Sequence, residues 1–188
     1  MKHRSSEKKS LFSENIRALT GESLKIAKEL FFYLFGSLFL AISSQITLPW
    51  IPIPFTAQPQ AIFYLCAAFG PKRALASVCL FLLEGIYGLP VFAHASIGMA
   101  SLLGPSGGFL LSFPLVTFIF AAFIERYQTR TLACFFALNA ASSFLLLSGS
   151  AYLCLIVPLS QALKIGFFPF IGAELAKNAL LAILLKSK

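Results

Sequence analysis

The chain has no aspartate, two histidines, one tryptophan and little charge of any kind. Only 12% of its 188 residues are charged, about half the usual share. These shortages exclude chemistry. No HExxH pattern and no aspartate pair exist, and His94 is the one histidine beyond the N-terminal head. A membrane hydrolase built on a nucleophile with a base, or on a metal cluster, therefore lacks its parts. Cys66, Cys79, Cys134 and Cys154 form no CxxC pair and sit in apolar stretches, where a thiol behaves as a small hydrophobe. A nucleotide phosphate loop needs GxxxxGK[ST], yet no lysine lies between Arg73 and Lys164. The first apolar run begins near Leu30, too late and too long for a signal-peptide core, so no cleaved leader is expected. Neither a metal nor a cofactor is expected.

Apolar residues are abundant instead: 58% of the chain, with 21 phenylalanines and a mean hydropathy of +0.84. One soluble core of this length could not hide that surface, and lipid is its natural solvent. Seven of the fifteen basic residues and four of the seven acids fall in the first 29 residues. The net charge of +8 does not indicate nucleic acid, because the basic residues scatter to segment ends without a stacking platform. Residues 1–29 read as a basic cytoplasmic or interfacial segment, with Phe12, Ile16 and Leu19 at the spacing of a short surface helix. Residues 30–188 read as a membrane domain.

A membrane helix needs about 20 apolar residues, fewer where its ends are buried in protein. Six spans are expected, near 30–48, 57–70, 73–89, 107–124, 131–157 and 169–186. The fold class is thus an all-α integral membrane protein with six transmembrane helices. Charge sets its orientation. The basic head, Lys72 and Arg73, Arg126 and Arg130, and Lys186 and Lys188 fall on one side. The opposite connections hold Lys164 and His94. By the positive-inside pattern, the N-terminus and C-terminus are both cytoplasmic. The outer connections at 46–60, with four prolines, and 89–108 are long, apolar and rich in helix breakers. Irregular backbone cannot face lipid, so the loops between helices 1–2 and 3–4 are expected to cover a pocket between helices.

Three features invite a site. The first is the stretch GPSGGFLLSF at 104–113. It reads either as a tight turn opening span four, with Ser106 as its N-cap, or as a place where a ligand touches backbone at Gly107 and Gly108. The second is GAELAKN at 172–178, where Glu174 and Lys177 share a helix face. They read either as a structural ion pair or as a ligand clamp. The third is Glu84, a candidate to balance Lys177 across the bundle. In span one, Ser37 and Ala41 make a small-xxx-small step beside Gly36, which packs either within the bundle or against a partner.

Together, GLPVFA at 88–93, LLGPSGGFL at 102–110, IPIPFTAQ in the first loop, GPKRALA at 70–76 and PFIGAELAKNALLA at 169–182 resemble one family. It is the BioY family, the substrate-binding S components of energy-coupling-factor (ECF) biotin transporters. The resemblance covers about residues 40 to 186. It implies six helices with an outward-facing biotin pocket beneath the first and third loops, and no chemistry by the chain itself. It also implies a transmembrane coupling protein and ATPase subunits as partners, membrane lipids as surroundings, and the bacterial cytoplasmic (inner) membrane as the location. Carried over by motif, Gln58 matches the first loop's Gln, Gly107 and Gly108 the GG pair, and Lys177 the last-span Lys. Ser106 stands for Thr, Phe109 and Phe81 for Tyr, Glu174 for Asp, and His94-Ala95 for a GG pair. Phe92, Phe109, Tyr87 and Trp50 are candidate apolar walls. The substrate-binding set implied is Gln58, Phe92, His94, Gly107, Gly108, Phe109, Glu174 and Lys177. The alternatives are an S component for a different vitamin and a self-sufficient carrier, although no inverted repeat is detectable.

Overall fold

The computed structural model describes residues 2–48, 53–127 and 130–186, with side chains over 21–47, 53–124 and 130–186. Internal packing divides the chain into two units, 1–32 and 33–188. Helical backbone runs over Lys2–Gln45 (α1), so the described residues show no separate short helix near 12–19. One reason is composition: the helix carries many Lys, Glu and Leu residues and has no proline to interrupt it. Its predicted surface residues Phe12, Ile16 and Leu19 have side chains outside the described set, as does Trp50 altogether.

The second unit continues with two short strands, Thr47–Leu48 (β1) and Phe55–Thr56 (β2), paired antiparallel as Thr47 with Thr56 and Leu48 with Phe55. These two-residue strands are the exception to the all-α expectation, which the other described residues meet with helices and connections. Prolines in the first loop forbid helix but leave these residues free to pair. Next come Gln58–Phe69 (α2), Pro71–Ile86 (α3), Gly98–Leu103 (α4), Gly107–Tyr127 (α5), Thr131–Leu153 (α6), Leu159–Gly166 (α7) and Phe168–Lys186 (α8). Pro59 and Pro71 sit in the first turns of α2 and α3, where a missing N–H costs nothing.

Among the described residues, four segments are long and apolar enough to cross a membrane: 21–45, 107–124, 131–153 and 159–186. At 12 and 16 residues, α2 and α3 are shorter. They pack instead into the centre, where Phe63 on α2 meets Phe120 on α5 with ring centroids 4.6 Å apart. Val78 and Phe81 on α3 are fully buried. Large apolar side chains such as Leu38, Phe118, Phe136 and Ile183 point outward. That reversal of the soluble pattern fits lipid surroundings.

The small-residue step of α1 is an internal seam. A side chain at Gly36 would strike Ser77 of α3, and Ser37 is completely buried. Ala41 is half-buried against the core. Ser37 Oγ donates to the carboxylate of Glu84 on α3. The idea that Glu84 balances Lys177 is thereby corrected: Glu84 joins α3 to α1. Small residues at 36 and 37 let the two helices close to the distance this bond requires.

Candidate functional site

A cavity of about 240 Å³ opens where the two long loops meet the helices. The first loop contributes Ile53 to Thr56, and the start of α2 adds Gln58 and Pro59. The loop after α3 gives Phe92, Ala93, His94 and Ser96. Helix α5 supplies Phe109, Leu110 and Phe113, α6 supplies Leu145 and Leu146, and α8 supplies Phe170 and Glu174. The walls are mainly apolar, and a few polar groups converge on the space, the usual composition of a small-molecule site.

Glu174 is the charged member of this lining and is 5% exposed. Its carboxylate is held from three helices. Oε2 accepts from Gln60 Nε2 on α2 at 2.8 Å and from Ser142 Oγ on α6 at 3.0 Å. Oε1 pairs with Lys177, one turn along α8. Asn178 extends the network: its Nδ2 donates to Ser142 Oγ at 3.0 Å and to Asn139 Oδ1 at 3.2 Å, while its Oδ1 accepts from Gln60 at 3.2 Å. A buried charge survives only when paired and hydrogen-bonded, and this one is both.

Lys177 is absent from the cavity lining. Besides Glu174, its ammonium group donates to Thr56 O at 3.1 Å and lies 4.3 Å from the centroid of the Phe55 ring. Phe55 in turn stacks on Phe170 at 5.5 Å. Lys177 therefore joins the β-ribbon of the first loop to the carboxylate beneath it.

Gln58 is 3% exposed and lines the cavity, and its Nε2 has no hydrogen-bond partner among the described residues. An unmet buried donor is costly unless something fills the space beside it.

The remaining predicted residues divide. Phe92, His94 and Phe109 line the cavity. Phe92 meets Phe81 edge-on at 5.4 Å, so Phe81 stands behind the wall. Gly107 and Gly108 do not line it. A side chain at Gly107 would strike the Leu102 backbone, and one at Gly108 would strike Tyr152 on α6. These glycines let α5 close on its neighbours. Tyr87 is 85% exposed and outside the lining. Sequence reasoning missed Gln60, Ser142 and Asn178. The last was detectable, since it lies one helical turn after Glu174 on the same face.

A sequence profile described as the BioY family matches residues 9–188. Biotin transporter BioY2 of Lactococcus lactis is 30% identical over 150 residues, covering 79% of this chain and 82% of its own length. A probable biotin transporter BioY of Pyrococcus horikoshii is 33% identical over 151 residues, covering 79% and 90%. Among solved structures, the S-component for biotin from an ECF-type ABC transporter superposes with a TM-score of 0.74 at 25% identity, covering 87% of this chain and 91% of its own. A profile match over nearly the whole chain, relatives 30% and 33% identical over most of it, and a shared fold leave one assignment: the chain belongs to the BioY family.

Proposed function

We propose that this chain is the biotin-binding S component of an ECF-type vitamin uptake transporter and is not an enzyme. It crosses the bacterial cytoplasmic membrane six times with both termini inside. The two shorter helices, α2 and α3, are the second and third spans, the start of α2 being buried by its neighbours. The reading is supported by the family, by the biotin transporters among its relatives and by the cavity. Biotin carries a ureido group with two N–H donors and one carbonyl, an apolar ring and a carboxylate. Glu174 is suited to accept from the ureido N–H groups, the unmet Gln58 donor to meet an oxygen, and the phenylalanine walls to take the ring. His94 and Phe92 close the space from the lid side. Lys177 acts from behind the wall, and Gly107 and Gly108 act by packing.

The observation that carries this reading is a buried carboxylate, fixed by three helices, in a mainly apolar cavity. Such a site rejects a ligand that lacks the matching donors, because Glu174 would then stay desolvated without gain. The test is equilibrium binding of labelled biotin to the purified chain, with thiamin and riboflavin as competitors. Saturable binding displaced by unlabelled biotin alone is expected. Displacement by another vitamin would move the chain to that substrate, and absence of saturable binding would overturn the assignment.

A further inference from the structure

The segment that carries Phe92, Ala93, His94 and Ser96 into the cavity wall has unusual backbone. His94 and Ala95 are consecutive and both left-handed, with φ of 58° and 54°. Neither is glycine, and such residues keep this conformation only when their surroundings over-determine it. Within the turn, Ser96 donates from N and Oγ to Ala93 O at 3.2 and 2.9 Å, and from outside it one side chain reaches across from α1. Gln45, the last residue of α1, donates from Nε2 to Phe92 O at 2.9 Å, and its Oε1 accepts from the Ala95 N–H at 3.1 Å. The two contacts bracket the strained pair from both ends. Gln45 is itself steadied by Ser44, whose Oγ accepts from Nε2 at 2.7 Å and donates to Val91 O at 2.6 Å. Gln45 does not line the cavity.

We propose that Gln45 is a positioning residue for the binding site: its planar amide holds the 92–95 turn in a strained shape that sets Phe92 and His94 in the cavity wall. An amide suits the task because donor and acceptor sit a fixed distance apart on one rigid group. Without it the turn relaxes towards ordinary backbone. The carbonyl of Phe92 and the side chain of His94 then leave their places, although the bundle beneath is untouched. The ligand side of this inference rests on the biotin reading above; the backbone side does not.

Gln45→Met keeps size and removes both polar atoms. In ligand-free protein, amide hydrogen exchange over residues 92–97 should accelerate at least tenfold, while amides of α5 and α6 keep wild-type rates. Biotin affinity should fall about tenfold, on the order of one net hydrogen bond's contribution to ordering. Adding Ala95→Gly, which accepts a positive φ without strain, should return part of that affinity. A general loss of stability would accelerate exchange everywhere and would not be repaired by glycine. Gln45→Glu keeps the acceptor for Ala95 and loses the donor for Phe92, and it should fall between wild type and Met. Should the Met variant not fold, the Glu variant carries the same comparison. Unchanged exchange over 92–97 in the substituted protein overturns the clamp whether or not biotin binds. Failure of the wild-type chain to bind biotin overturns the functional reading instead, and exchange then decides the clamp alone.

Discussion

Glu174 and Lys177 occupy one helix face, yet their tasks separate. The carboxylate faces the cavity, while the ammonium group reaches away to Thr56 and Phe55. Glu174 is buried enough that its partner's removal leaves a costly charge, about 3–5 kcal/mol in comparable buried pairs, while Lys177, with its side chain 23% exposed, loses less. Glu174→Gln should weaken biotin binding at least tenfold by taking away the acceptor. Lys177→Met should weaken it similarly by loosening the β-ribbon over the cavity. The double variant separates pairing from binding. Without ligand it should unfold at a higher temperature in detergent than either single variant, since no lone charge remains, while its affinity stays low. A double variant less stable than both singles would reject the ion-pair account. The charged residues were legible in the sequence because a Glu and a Lys stand out in an apolar span. Asn178 was legible too, one turn after Glu174 on the same face, but Gln60 and Ser142 were not. Neutral polar side chains in a span commonly bond their own backbone, as Thr117 does to Phe113 O at 2.6 Å, and nothing local marks the exceptions.

At the scale of elements, hydropathy and proline placement located the helices well, and pairing between elements stayed hidden. The start of α5 at Gly107 and of α6 at Thr131 coincide with the ends of apolar runs. The β-ribbon did not show, because two-residue strands joined across a proline-rich loop have no periodicity to detect. Helices α4 and α7 were likewise invisible inside the connections, being six and eight residues long. Small residues are the most ambiguous signal. At Gly36 and Ser37 they make a seam with α3, and at Gly108 a seam with α6, although either could equally have served a ligand or a partner. The α5–α6 seam yields a prediction. Gly108→Val would force a branched side chain into Tyr152, whose hydroxyl also donates to Leu102 O at 3.2 Å and so anchors α4. Overpacking of this kind costs roughly 1–3 kcal/mol. The variant should therefore unfold at a lower temperature without ligand, and Tyr152→Gly in the same chain, which removes the Cβ nearest to position 108, should restore part of the loss. A Val variant with wild-type stability and lost biotin binding would instead place the ligand against this turn.

For the whole molecule, the question is where work comes from. The sequence has no nucleotide-binding loop. Among the described residues, Glu174 is paired with Lys177, and Glu84 accepts from Ser37. Binding alone moves no equilibrium uphill. On the proposed function, accumulation is driven by partners that hydrolyse ATP. The surface they would meet is not the Gly36–Ser37 step, which is filled by α3, but one of the apolar outward faces, such as Leu34, Leu38 and Ile42 on α1. Those three recur every fourth residue and form a stripe that lipid or a partner helix can cover equally well. Vesicles containing this chain alone should bind biotin and show no uphill uptake. Adding the ATPase subunits and the coupling protein should produce ATP-dependent accumulation. Leu38→Lys, pointing outward, should leave equilibrium binding within about twofold, because surface positions away from a site rarely move it. If α1 is the docking face, the same change should cut ATP-driven uptake severely, since a charge buried between helices in a membrane is costly. Normal uptake by that variant would move the docking face off this stripe. Uphill uptake by the chain alone, without ATP, would remove the need for partners altogether.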